Sequence, residues 1–167
     1  GPATAADVLE GYQAEAFFGI SVGGAGDVNG DGYADVLVGA SDYGNGEPEE
    51  GAAFLFLGSP SGLIGTGPAT AAAALEGNLA EAYFGWSVAG AGDVNGDGYA
   101  DVLVGAYGYN NGEYYEGAAF LFQGSPSGLI GTGPATAAAV LEGNQAYSGF
   151  FGISVSGEGD VNGDGYA

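Results

Sequence analysis

The chain has 167 residues and a formal net charge of −21, because it contains 21 acidic residues and no Lys, Arg or His. Without cationic side chains it cannot build the surfaces that follow nucleic-acid phosphates or bind anionic membranes. Proton transfer in catalysis would depend on carboxylates and tyrosines alone, which argues against most classes of enzyme.

The sequence consists of repeats with a period of 66 residues. Residues 1–66 and 67–132 align without gaps and differ at 13 positions, and a partial third copy with one extra residue near Tyr147 occupies 133–167. Self-similarity at such a period is typical of solenoids, propellers and related arrays. We therefore predict three units: repeat 1 (1–66), repeat 2 (67–132) and a partial repeat 3 (133–167).

Each repeat begins with Gly-Pro-Ala-Thr and an alanine-rich stretch, residues 5–11 and 71–77 in the two complete copies. Alanine favours helix, but a segment this short lies below the length at which propensity decides, and we predict a strand. An aromatic and β-branched run follows at residues 17–22, 83–88 and 150–155. Such runs indicate a second strand.

An acidic loop of nine residues comes next, at 27–35 and 93–101, and it begins a third time at Asp160. It places carboxylates at positions one, five and nine, Asn at three and Gly at six, where a Cβ would obstruct a sharp turn. Ca²⁺ takes six to eight oxygen ligands at about 2.3–2.6 Å from acidic loops of this kind. The alternative interpretation is a solvated turn, which Asp, Asn and Gly also favour.

The loop is not that of an EF-hand or a dockerin-like module. Those loops close with a carboxylate at the twelfth position on a following helix, whereas the twelfth residue here is Val38 or Val104. The ninth residue instead leads into Val-Leu-Val-Gly-Ala, which favours a strand.

A variable loop at residues 41–50 and 107–116 precedes a fourth predicted strand at 52–57 and 118–123. Both faces of this strand are apolar, so its sheet is expected to be covered on both sides. Four-stranded units stacked in this way are the blades of a β-propeller. We predict an all-β fold of four-stranded antiparallel propeller blades, with about two and a half repeats. Since propellers need about four to eight blades, we expect these repeats to be part of a larger propeller or assembly.

Phe18-Gly19, the Asp-x-Asn-x-Asp-Gly-x-x-Asp loop and Val38-Gly39-Ala40 together resemble FG-GAP repeats, the blades of the integrin α-subunit propeller and of many bacterial surface proteins. The resemblance implies calcium loops and an extracellular or cell-surface location. The proline of the family signature is replaced by Ser41 and Tyr107. The predicted Ca²⁺ ligands are Asp27, Asn29, Asp31, the Tyr33 carbonyl and Asp35; Asp93, Asn95, Asp97, the Tyr99 carbonyl and Asp101; and Asp160, Asn162, Asp164 and the Tyr166 carbonyl.

The leading functional prediction is a non-enzymatic, extracellular, calcium-stabilised structural protein that self-associates into a fibre or surface layer, without membrane insertion or nucleic-acid binding. Head-to-tail contacts between apolar blade faces would build such a fibre. The alternative is an integrin-like or lectin-like propeller that binds a cell-surface protein or glycan through tyrosines of the variable loop. A third possibility, a carboxylate-pair glycosidase, has only four candidate residues outside the acidic loops: Glu47, Glu50, Glu113 and Glu116.

Overall fold

The computed structural model describes residues 4–147, 150–157, 159–160 and 167. Strands in these residues form two four-stranded antiparallel sheets, each with its strands adjacent in chain order. The first sheet comprises β1 (Phe18–Gly26), β2 (Asp35–Ala40), β3 (Ala52–Phe56) and β4 (Ala73–Glu76), and the second comprises β5 (Phe84–Gly92), β6 (Asp101–Ala106), β7 (Ala118–Phe122) and β8 (Ala139–Glu142). The prediction of an all-β fold with four-stranded antiparallel blades is confirmed. No helix in the described part of the chain has the length and apolar character needed to cross a membrane.

Each sheet takes its last strand from the following sequence repeat. Strand β4 pairs with β3 although it lies beyond residue 66, and β8 pairs with β7 although it lies beyond residue 132. The alanine-rich stretches therefore form strands in the second and third copies, as predicted. Each sheet therefore starts at the second predicted strand of one repeat and ends with the first predicted strand of the next.

Two predicted strands do not form. Residues 5–11 are outside any strand because no β3-type strand lies beside them in the described structure, and Leu9 packs instead on the first sheet. Residues 150–155, all of them described, make a single bridge between Phe151 and Gly117. The β2-type strand that would pair with this run has no counterpart in the given sequence.

The two sheets stack face to face around one core. The first sheet contributes its aliphatic face, formed by Leu37, Leu55 and Leu75, and the second contributes its aromatic face, formed by Phe84, Phe120 and Phe122. All six side chains are fully buried. Strands apolar on both faces, as in the sequence pattern of β3 and β7, are required for this packing.

Glycine allows the backbones of the two sheets to approach closely. A Cβ built on Gly39 would lie 1.9 Å from the carbonyl oxygen of Gly85 in the neighbouring sheet. Hydrogen bonds also join the sheets, since the amide of Val88 donates to Ser21 Oγ at 3.0 Å. The blades are thus fixed relative to one another, and their loops have defined neighbours.

Candidate functional site

The two complete acidic loops lie at equivalent ends of the strands in the two sheets. The first connects β1 to β2, where Gly26 pairs with Asp35, and the second connects β5 to β6, where Gly92 pairs with Asp101. The paired strands therefore hold the two ends of each loop together. The ninth residue of each loop is the first residue of a strand, as the sequence pattern predicts.

In the first loop, side-chain oxygens accept hydrogen bonds from the loop's own amides. Asp27 Oδ1 accepts from the amides of Gly30 at 2.8 Å and Asp31 at 3.0 Å, and Asp27 Oδ2 accepts from Gly32 at 2.8 Å. The amide of Asp31 also donates to Asn29 Oδ1 at 3.0 Å. The oxygens of Asp27 and Asn29 consequently converge on one backbone amide.

Asp35 closes the loop from a buried position. Its Oδ2 accepts from the amide of Val28, and its Oδ1 accepts from the amide of Gly58, both at 2.9 Å. Burial raises the pKa of this carboxyl, the two backbone hydrogen bonds lower it, and the carboxylates of Asp31 and Asp27 raise it further. Asp35 therefore ties the loop to the turn after β3.

The second loop has the same geometry. Asp93 accepts from the amides of Gly96, Asp97 and Gly98 at 2.7, 3.0 and 2.8 Å. Asp101 accepts from Val94 at 3.0 Å and from Gly124 at 2.9 Å. In the third copy Asp160 is described, whereas Asn162, Asp164 and Tyr166 lie outside the described residues.

The oxygen donors of the loops suit a hard cation such as Ca²⁺, since zinc sites usually include His or Cys ligands. A carboxylate has about four lone-pair positions, so the amide hydrogen bonds leave acceptor capacity on each of these side chains. As the side chains stand, no three acidic, His or Cys residues in the described part of the chain are grouped closely enough to hold a metal ion. The ligand assignment therefore stays a prediction.

A cluster of aromatic rings lies where the second sheet meets its two neighbouring repeats, away from the acidic loops. Tyr107 is at its centre. Its ring stacks on that of Tyr83 with centroids 4.8 Å apart, and it makes a T-shaped contact with Trp86, also with centroids 4.8 Å apart. On one side of the cluster, the ring centroids of Tyr114 and Tyr115 are 4.8 Å apart. The members of this aromatic cluster are Tyr83, Trp86, Tyr107, Tyr114, Tyr115, Tyr147 and Phe150.

Backbone and side-chain hydrogen bonds hold the cluster in place. The amide of Tyr147 donates to the carbonyl of Tyr114 at 2.8 Å, and this brings the two rings to 5.2 Å. The hydroxyl of Tyr115 donates to Glu81 Oε2 at 2.9 Å. Partial burial and this hydrogen bond raise the pKa of Tyr115 to about 12, and burial also raises the pKa of Tyr83.

The cluster marks the main chemical difference between the two complete repeats. Six of the 13 differences fall on it or beside it: Phe17/Tyr83, Ile20/Trp86, Ser41/Tyr107, Asp42/Gly108, Pro48/Tyr114 and Glu49/Tyr115. Five of the six introduce or enlarge an aromatic side chain in the second repeat, and the sixth removes a carboxylate. The repeats are therefore alike in the acidic loops and different in the aromatic cluster.

The sequence predicted only part of this cluster. The tyrosines of the variable loop, Tyr107, Tyr109, Tyr114 and Tyr115, were expected to form a binding loop. Tyr109 instead makes a T-shaped contact with Phe120, with centroids 5.0 Å apart, and packs on the core. Trp86 lies in the aromatic run 83–88 that was predicted only as a strand, and the structure places it against Tyr107. Tyr147 and Phe150 come from the third copy. The one available signal for them was the extra residue in that segment.

Two of the four glutamates considered for catalysis accept hydrogen bonds from backbone amides and support the variable loops. Glu50 is 2% exposed, and its Oε1 accepts from the amide of Asn45 at 2.5 Å. Its Oε2 accepts from the amide of Asn78 at 3.2 Å. Glu116 makes the matching bond to the amide of Asn111 at 2.5 Å. Glu50 therefore holds its variable loop against the following segment, and Glu116 braces its own variable loop.

Comparison with known proteins agrees with the motifs and the sheets. The family model of the FG-GAP repeat matches residues 18–56 and 84–122. Integrin alpha-5 of Xenopus laevis is 34% identical over 110 residues, which cover 66% of this chain and 10% of that protein. Integrin alpha-6 of Gallus gallus is 32% identical over 160 residues, 95% of this chain and 14% of that protein. Integrin alpha-8 of Mus musculus is 32% identical over 161 residues, 93% of this chain and 14% of that protein. The chain thus spans between 10% and 14% of the length of these relatives.

Proposed function

This chain belongs to the FG-GAP repeat family, and on that premise we propose that it is a calcium-stabilised part of an extracellular adhesion propeller. Its acidic loops would hold structural Ca²⁺, and its aromatic cluster would contact a partner. The single observation that carries the adhesive role is the aromatic cluster, on which near-identical repeats differ most in chemistry. Similarity to integrin α subunits over most of the chain supports the same role.

The proposed calcium sites comprise the predicted ligands of the two complete loops, with a third site at residues 160–166. The amide hydrogen bonds of Asp27 and Asp93 support this proposal, because they pre-arrange the side chains that would bind the ion. Ca²⁺ bound to the folded loops would stabilise the blades by mass action. Loops of this kind are filled at the millimolar calcium concentrations found outside cells.

The aromatic cluster has the composition of a contact surface. Tyrosine and tryptophan combine a large apolar ring with a hydrogen-bonding group, and they are enriched where binding energy concentrates in protein interfaces. Tyr114 and Tyr147 are 51% and 74% exposed, so their rings are available to a partner. A cell-surface protein or a glycan is the proposed partner class.

The test is adhesion of the calcium-loaded chain to arrays of extracellular-matrix proteins and glycans. The double variant Tyr114→Pro, Tyr115→Glu introduces the residues that the first repeat carries at these positions and should abolish binding. Tyr12→Asn, which introduces the residue found at the same position of the second repeat, is the matched control and should bind normally. Full binding by the double variant would refute the adhesive role of the cluster.

A fibre-forming role is a second candidate, supported by the aliphatic face of the second sheet. Leu141 is 59% exposed there, whereas the equivalent Leu75 of the first sheet is fully buried against a neighbouring blade. A cavity of about 260 Å³ lies over this face, beside Leu103 and Leu121. Copies of the chain could associate head to tail through this face and form filaments. Electron microscopy at several calcium concentrations tests the idea, and dispersed monomers at every concentration would refute it.

We further propose that residues 1–66, 67–132 and 133–167 are units of duplication, offset by one strand from the blades. The proposed role is non-enzymatic. The hydrogen bonds of Glu50 and Glu116 to loop amides support this, because they give two of the four candidate glutamates a structural task. The remaining two, Glu47 and Glu113, lie on the same variable loops. Assays for glycoside hydrolysis with the calcium-loaded chain would test this, with turnover counting against it.

A further inference from the structure

A cleft of about 170 Å³ opens within the aromatic cluster, between the variable loop of the second repeat and the third copy. It is lined by Tyr107, Tyr115, Tyr147 and Phe150. We propose that this cleft binds a trimethylammonium group, such as that of choline or of a trimethylated lysine. The proposal rests on the proposed function in one respect, that the cluster is a contact surface, and it specifies the chemistry of the ligand.

The rings around the cleft are arranged to present aromatic surface to a cation. Aromatic faces attract cations through their quadrupole, and cages of several rings recognise quaternary ammonium ions. Tyr107 lies 6.2 Å from Phe150 between ring centroids, and Tyr114 bridges Tyr115 and Tyr147. Four residues of the cleft therefore supply ring surface on several sides.

Charge complementarity favours a positively charged ligand. The chain carries −21 charges and has no Lys, Arg or His that could fill the cleft from within. Glu81 accepts the hydroxyl hydrogen of Tyr115, which lines the cleft, and Glu49 accepts that of Tyr83 in the same cluster, so two carboxylates lie at the hydroxyl ends of these rings. The pKa of Tyr107 is raised by burial and by the nearby negative charge of Asp42, a third carboxylate close to the cleft. The field of these groups attracts cations and repels anions.

No carboxylate lines the cleft, and this favours cations without N–H donors over cations that have them. An ammonium ion has three N–H donors and a guanidinium five, and each donor that leaves water needs an acceptor. Among the lining side chains only the three tyrosine hydroxyls can accept a hydrogen bond, and the carboxylates of Glu49 and Glu81 are not part of the lining. A trimethylammonium group has no N–H donor and loses no hydrogen bond on entry. The cleft is therefore better matched to a methylated cation than to an Arg or Lys side chain, and a neutral sugar would gain nothing from the charge.

The first repeat lacks the cage. Ser41 and Glu49 occupy the positions of Tyr107 and Tyr115, so the junction of the first two blades has a hydroxyl and a carboxylate where the second junction has rings. The same fold accommodates both sets of residues. This makes the first-repeat residues suitable replacements in a test, because they are compatible with the blade.

The test uses the full calcium-loaded chain, titrated with tetramethylammonium chloride against NaCl at equal ionic strength. Binding is followed by calorimetry and by the fluorescence of Trp86, the one tryptophan of the chain, whose ring packs against Tyr107 in a T-shaped arrangement. We expect a saturable response to tetramethylammonium that NaCl does not give. Tyr107→Ser should weaken binding roughly tenfold, the usual scale of one lost cation–π face. Tyr107→Phe, which keeps the ring, should bind more tightly than Tyr107→Ser, and Tyr12→Asn, which lies outside the cleft lining, should bind normally.

A melting curve for each variant confirms that loss of binding is not loss of folding. Tighter binding of ethylguanidinium chloride or of methyl glucoside than of tetramethylammonium would overturn the proposal, as would the absence of a saturable response. Phosphatidylcholine vesicles and a trimethyl-lysine peptide distinguish the two natural sources of the group, and binding of either supports the site. Failure with tetramethylammonium, while the tyrosine double variant still loses adhesion, would overturn this inference and leave the proposed function intact.

Discussion

Replacing Asp101 with alanine is expected to destabilise the protein even when calcium is removed. Asp101 is fully buried and accepts hydrogen bonds from the amides of Val94 and Gly124. Hydrogen bonds to a charged group contribute about 1.5–3 kcal/mol each, so losing both predicts a fall of about 3–6 kcal/mol in the free energy of unfolding. The lower end applies because burial of the carboxylate, which raises its pKa, already offsets part of the gain.

Asp97→Ala is the matched control within the same loop. Asp97 is exposed and accepts from the amide of Tyr99 at 3.0 Å and from the side chain of Asn95 at 2.8 Å. Its loss in chelator should cost only about 0.5–1.5 kcal/mol, because water replaces the bonds. With calcium at a hundredfold excess over Kd, each site adds about 2.7 kcal/mol, which both variants should lose at this loop.

Urea denaturation followed by Trp86 fluorescence, in EDTA and in excess Ca²⁺, separates these two contributions. The expected order of stability in EDTA is wild type, then Asp97→Ala, then Asp101→Ala well below both. Equal destabilisation by the two variants in EDTA would refute the structural role assigned to the buried carboxylate.

Three further predictions concern other parts of the blade. Gly85→Ala should lower the free energy of unfolding by at least about 2 kcal/mol, because φ at Gly85 is +83° and the new Cβ would lie 2.1 Å from the carbonyl oxygen of Ala52. Urea denaturation measures this change, and an unchanged midpoint would contradict the close packing of the sheets. Glu50→Ala should cost about 2–4 kcal/mol, because the amides of Asn45 and Asn78 lose their buried, charged acceptor. It should also increase hydrogen exchange in the variable loop, and unaltered exchange would argue against the role. Tyr115 should ionise near pH 12, since burial and the donation of its hydroxyl to Glu81 raise its pKa. A raised pKa stabilises the fold below pH 10 and this contribution is lost between about pH 10 and 12, so wild type should lose stability relative to Tyr115→Phe over that interval; parallel pH profiles would count against the hydrogen bond.

Local sequence pattern was sufficient for the elements whose partners are close in the chain. Strands β2 and β3 were predicted from their β-branched and aromatic runs, and the acidic loops from carboxylates at fixed spacing. The alternation on β3 also predicted that both faces of the sheet would be covered. Each of these features depends on residues within about a dozen positions of one another.

Features that depend on distant partners were not predictable in the same way. Residues 5–11 and 71–77 have similar sequences. Only the second stretch lies beside a β3-type strand, so only the second stretch becomes a strand, β4. Asp35 was predicted as a ligand, but its bond to Gly58, 23 residues away, required the structure. Tyr147 reaches the aromatic cluster through the backbone of Tyr114, a contact between repeats that no pattern within one repeat reveals.

The most direct test of the account is calorimetric titration of the metal-free chain with Ca²⁺. We predict saturable binding at two or more sites, with one site lost in Asp97→Ala and a second lost when Asp31→Ala is added. The absence of calcium binding, or a stoichiometry that neither substitution changes, would contradict the central claim that these loops hold calcium.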